Sequence, residues 1–71
     1  MKLAVLECLS DVSMNHSGDT LFHGGSYYPA KIYKTKIVAI NDLRKEHTVA
    51  DSKEDPRKDK FFDDHFHIVF E

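Results

Sequence analysis

From Leu3 to Leu9 the chain is apolar at every position but Glu7, which gives it the length and composition of a first strand. Ser10 to Asp19 is rich in turn formers and holds no period, so a surface loop is expected over about 10–20. Leu21 and Phe22 lead into His23-Gly24-Gly25-Ser26, where paired glycines permit a sharp reversal before a strand that opens at Tyr27. Pro29 has no N–H for a ladder and is expected at a sheet edge or at the first residue of that strand. Ala30 to Ile40 runs on without a breaker. Within it Ile32, Val38 and Ile40 share a parity with Lys34 and Lys36, a conflict that a bend or bulge near Lys34-Thr35-Lys36 resolves. Asn41 to Lys45 is a polar connection, and Glu46 to Ala50 completes a hairpin. The charged stretch 51–60 reads as an exposed loop. Phe61 to His65 predicts one helical turn, within residues 60–65, and Phe66, Ile68 and Phe70 then alternate with His67, Val69 and Glu71 as a half-buried strand.

Four to five short antiparallel strands without a long amphipathic helix predict an all-β or mostly-β chain, and the compact arrangement of so few residues is a small barrel. At 71 residues there is room for one domain spanning 1–71 and one thin core. Cys8, the single cysteine, excludes an intramolecular disulfide and a four-cysteine zinc site, so self-association is one remaining route to added stability. No apolar run approaches the roughly 18 residues of a bilayer span, and Glu7 interrupts the apolar start where a signal peptide needs continuity. A cytoplasmic protein without a cofactor is expected.

Charge changes the picture. The net charge of −2 argues against a general nucleic-acid binder, yet it is unevenly spread. No acid lies between Asp19 and Asp42, a gap that holds Lys31, Lys34 and Lys36 beside Tyr27, Tyr28 and Tyr33, whereas residues 42–71 are acidic overall. One basic-aromatic face and one acidic face are expected, as on a docking surface.

Three groups of residues also recur in a familiar order. They are Phe22, Gly25 and Tyr28 in the first turn, Asp42 and His47 in the hairpin, and Phe62, His65 and Phe66 before the last strand. In this order the chain resembles the small SH3-like barrel proteins encoded by phages and prophages of Gram-positive bacteria. The resemblance covers roughly the last 50 residues. Leu43-Arg44-Lys45 stands where those proteins carry a hairpin glycine. The resemblance implies an SH3-like barrel and a phage setting, in which restraint of a host protein is a reasonable role, and it brings no catalytic chemistry.

His65 and His67 are candidate metal ligands, since imidazoles at i and i+2 share a face of a strand; without a second ligand pair, structural roles are favoured. His47 reads as a hydrogen-bonding partner of Asp42 within the hairpin. Asp63 and Asp64 beside His65 could serve acid–base chemistry only in a pocket, which so thin a core does not supply. Cys8 reads as an inert buried thiol. The expected function is therefore a non-enzymatic protein-interaction module. It docks through Tyr27, Tyr28 and Tyr33, or through the charged loop with Asp55, Arg57 and Lys58, onto a host protein or a second copy. The alternative is a single-stranded nucleic-acid binder using Lys31, Lys34, Lys36 and Tyr33.

Overall fold

The computed structural model describes residues 1–13 and 18–71; the expected loop residues 14–17 lie outside them. The strands are β1 (Lys2–Cys8), β2 (Val12–Ser13), β3 (Thr20–Phe22), β4 (Tyr27–Ile32), β5 (Lys36–Ile40), β6 (Glu46–Asp51) and β7 (Phe66–Phe70), with a 3₁₀ turn (Pro56–Lys58) and α1 (Lys60–His65) between the last two. Five of them form an antiparallel sheet in the order β6-β5-β4-β1-β7, and β2 and β3 form a small hairpin between β1 and β4. The small, mostly-β domain expected from the sequence is the fold, although β2 and the first residue of β3 lie inside the stretch 10–20 expected as a loop, because buried Val12 pairs with Phe22.

The sheet is strongly curled. The Phe22 ring meets His47 of β6 at 5.8 Å and Phe66, the first residue of β7, at 5.1 Å between centroids. In a flat sheet those two edge strands, four spacings apart, would be separated by about 19 Å. The space between the edges is filled by α1, whose Phe62 stacks on Phe66 at 5.9 Å. Leu6 and Cys8 of β1, Leu21 and Phe22 of β3, Ile37 of β5 and Val49 of β6 complete a core buried from every side.

Several expectations are corrected by local geometry. Residues 30–40 are not one bent strand: Tyr33-Lys34-Thr35 turns the chain back, with the Tyr33 N–H donating to Lys36 O at 2.8 Å. That turn resets the parity, so Ile37 and Ala39 enter the core while Val38 and Ile40 take the opposite face. Pro29 is the third residue of a central strand rather than an edge or starting residue. It fits there because the β4–β5 ladder begins only at Ala30 opposite Ala39, and no donor is needed at Pro29 on that side. Phe70 points outward and is 70% exposed, because the register with β1 shifts between Val5 and Leu6, leaving Val69 unmatched and reversing the alternation. A similar shift in β6 leaves Val49 as the extra residue, so Val49 and Ala50 are both buried. The charged stretch 51–60 is also more ordered than a loop: β6 runs to Asp51, and Asp55 caps the 3₁₀ turn by accepting from Arg57 N.

The missing hairpin glycine is replaced by Arg44, which adopts φ 62° itself. The buried Asn41 holds that turn by accepting from Leu43 N and Lys45 N at 2.9 and 3.1 Å. Asp59 caps α1, accepting from Phe62 N at 3.0 Å, and ties the helix to the sheet by accepting from Asp51 N at 3.1 Å. These amide bonds hold its carboxyl below the ordinary aspartate range.

Phe66→Ala is expected to lower unfolding free energy by about 3–5 kcal/mol, whereas half-buried Ile68→Ala loses roughly 1–2, measured by urea denaturation. Asp59→Ala is expected to cost about 0.5–2 kcal/mol at neutral pH. Its carboxyl is lowered in the fold, so this contribution is present above the ordinary aspartate value and is lost as pH falls through the folded one. Denaturation midpoints of wild type and variant should therefore converge in acid.

Candidate functional site

Two surfaces carry the candidate residues, one polar and one apolar. The polar one is built on Asp42. Its backbone N–H donates to Leu21 O at 2.8 Å, while its Oδ2 accepts from the Tyr28 hydroxyl at 2.9 Å and lies 2.5 Å from His23 Nδ1. The His23 amide in turn donates to the Tyr28 hydroxyl at 2.7 Å. Burial and the adjacent Asp42 carboxylate push the Tyr28 phenol up, against the His23 amide bond, which lowers it. Gly25, at φ 89°, makes the reversal that places His23 here, and Gly24 lies so close to Ser10 that a side chain would crowd its backbone.

Tyr28 is thus 5% exposed and packs edge-to-face on Phe22 at 4.8 Å, facing away from Tyr27 and Tyr33. His47, expected beside Asp42, packs on Phe22 instead, and Asp42 takes His23, nineteen positions away in sequence. His65 ends α1 and stacks on Phe61 at 4.5 Å with Nδ1 2.9 Å from Phe61 O, whereas His67 lies exposed on β7. The pair does not share one strand face, and among the described residues no group of three metal-ligating side chains converges. Cys8 is fully buried, its thiol donating to Ser10 O at 3.0 Å, and burial pushes its pKa up.

The apolar surface is the outer face of the sheet. Strand alternation turns Leu3, Val5 and Glu7 of β1 outward, opposite Lys31, Pro29 and Tyr27 of β4. Phe70 and His67 of β7 continue the rows beside Val5 and Glu7, and Val38 of β5 continues the row of Lys31. Leu3, Pro29, Lys31, Val38, Ile40 and Glu46 line a shallow hollow of about 80 Å³. Leu3 is 67% and Tyr27 62% exposed, while Val38 is buried within the face although it lies outside the main core.

The other expected residues lie around this face or away from it. Tyr33 is at the β4–β5 turn with Lys36 Nζ 5.2 Å from its ring centroid, and exposed Lys34 is at the tip of the same turn. Asp55 and Arg57 have local duties: Asp55 caps the 3₁₀ turn, and Arg57 pairs with Glu71, which Lys2 also meets at 3.2 Å. Those two cations, Lys2 foremost, hold the Glu71 carboxyl below its ordinary value. Lys58 is exposed on the 3₁₀ turn. The structure therefore brings Tyr27 and Lys31 together on one face, beside an apolar strip of Leu3, Val38, Ile40 and Phe70 that the sequence reading had placed inside or left unassigned. The alternation of Leu3 and Val5 with Ala4 and Leu6 hid it, because both faces of β1 are apolar.

No protein-family model, no curated protein and no solved structure matches this chain. No helix among the described residues is long and apolar enough to cross a membrane.

Tyr28→Phe keeps the ring but removes both hydroxyl bonds, leaving the His23 amide and one Asp42 contact unpartnered; a loss of roughly 1–3 kcal/mol is expected at neutral pH. The phenol is raised in the fold, so its contribution is complete below the ordinary tyrosine value of about 10 and is lost as pH rises towards the folded value. The gap between wild-type and Tyr28→Phe denaturation midpoints should accordingly narrow above that pH.

Proposed function

We propose that this chain is a small non-enzymatic protein-docking module, one of the phage and prophage proteins its three motifs resemble, which acts in the cytoplasm by holding another protein against its outer sheet face. The observation that carries this reading is the apolar strip from Phe70 through Val5 and Pro29 to the hollow at Ile40, bordered by exposed Leu3 and Tyr27. Contiguous exposed apolar surface on so small a domain is a mark of an interaction site. Hydrophobic burial supplies the affinity, and Lys31, Glu7 and Glu46 on the same face supply orientation.

The motif residues support the fold side of the resemblance. Phe22, Tyr28, His47 and Phe66 pack on one another around the Phe22 ring, so their recurrence is explained by the core and leaves function to the surface. The acid–base groups nearest to a catalytic arrangement, Asp42, His23 and Tyr28, are engaged in holding the turn after β3 to the β5–β6 turn. Glu7 and Glu46 share the face of Lys31 and repel phosphate, which favours a polypeptide over a nucleic acid.

The immobilised chain is expected to retain a discrete set of proteins from a nuclease-treated bacterial lysate. Leu3→Glu combined with Phe70→Glu should abolish that retention, and Lys34→Glu should leave it intact. Retention unaffected by the apolar-face variant overturns the reading, and so does a wild-type chain that retains neither a lysate protein nor an added soluble copy of itself. Salt-sensitive binding of labelled single-stranded oligonucleotides that Lys34→Glu removes would replace it with the nucleic-acid function.

A further inference from the structure

We infer that the partner fitted by the outer face is a second copy of this chain, joined through an isologous interface in which Lys31 of each copy meets Glu46 of the other. The inference rests on the docking reading above and commits it to one occupant. Lys31 on β4 and Glu46 on β6 stand on opposite walls of the hollow, with Val38 and Ile40 of the intervening β5 between them. The four ion pairs of the described residues lie elsewhere: Lys2 and Arg57 with Glu71, His23 with Asp42, and Lys60 with Asp64. Lys31 and Glu46 thus present opposite charges on one apolar face, and neither is in an ion pair among the described residues.

Such a face is complementary to itself. A twofold axis lying in the interface and passing between the two charges, across Val38 and Ile40, brings each lysine over the other copy's glutamate and sets apolar surface on apolar surface. One geometric operation therefore satisfies both charges and covers the hollow. A partner of uniform charge would satisfy only one of them. The chain also has reason to associate, since one thin core without a disulfide leaves a domain of this size marginal, and a second copy adds apolar burial without lengthening the chain.

Sedimentation equilibrium from low micromolar to millimolar concentration tests the inference, with matched circular dichroism and thermal midpoints confirming that every variant folds. A concentration-dependent dimer is expected. Lys31→Glu alone and Glu46→Lys alone each turn two attractions into repulsions and should raise the dimer Kd by about tenfold or more, whereas the double exchange should restore it. Dimerisation that neither single reversal weakens, or that the double exchange does not recover, overturns this interface. A strict monomer at every concentration overturns self-association, and lysate retention by the same face would then stand as an independent result. Failure of both experiments would remove the docking reading as well.

Discussion

The Phe22 ring is the contact on which the barrel depends. It lies on the short hairpin strand β3, outside the five-stranded sheet, yet it touches Tyr28 of the central β4, His47 of one edge strand and Phe66 at the start of the other. All three contacts are edge-to-face, an arrangement aromatic quadrupoles favour beyond simple area burial. One side chain thus fixes how far the sheet curls. The Asp42 bonds to Leu21, His23 and Tyr28 then hold β3 and the following turn in place, so that the ring cannot leave without breaking a polar network.

Because the five-stranded sheet curls around the core, each of its strands has an inside and an outside, and among the described residues no second layer of secondary structure covers the outside. In most of β4 the outer positions are filled by Tyr27, Pro29 and Lys31, but β1, β5 and β7 add Leu3, Val5, Val38, Ile40 and Phe70. The same curl that makes a compact interior therefore gathers apolar side chains on the convex face. The polar capping at Asp55 and Asp59 and the Glu71 ion pairs lie among structural duties instead.

The strands were legible in sequence wherever a strong signal bounded them. The paired glycines marked the turn into β4, Asn41 and Asp42 the β5–β6 hairpin, and the aromatic alternation the start of β7. The β4–β5 turn was not legible because Tyr33-Lys34-Thr35 contains no glycine, proline or asparagine; it is held by the Tyr33–Lys36 bond and by Ser52 N donating to Thr35 O at 2.9 Å. Missing that turn misassigned Val38 and Ile40 to the core, and missing the register shift at Val5 did the same for Phe70. The apolar outer face was lost with them. His23 was missed for a different reason: its partner Asp42 becomes a neighbour only after the hairpins have been packed together.

The place of β1 sets the order in which this molecule can assemble. It is the first strand in the chain, but it lies between β4 and β7, with Cys8 opposite Phe66 and Val5 opposite Phe70. The local hairpin of β4, β5 and β6 can form early from neighbouring residues. The ladder between β1 and β7 must close a loop of almost the entire chain, the kind of distant pairing that slows folding. During synthesis β1 would therefore wait with one edge unpaired until β7 has left the ribosome. Closure of the barrel consequently waits on the emergence of β7, and the buried thiol of Cys8, opposite Phe66, is sealed from solvent only at that step.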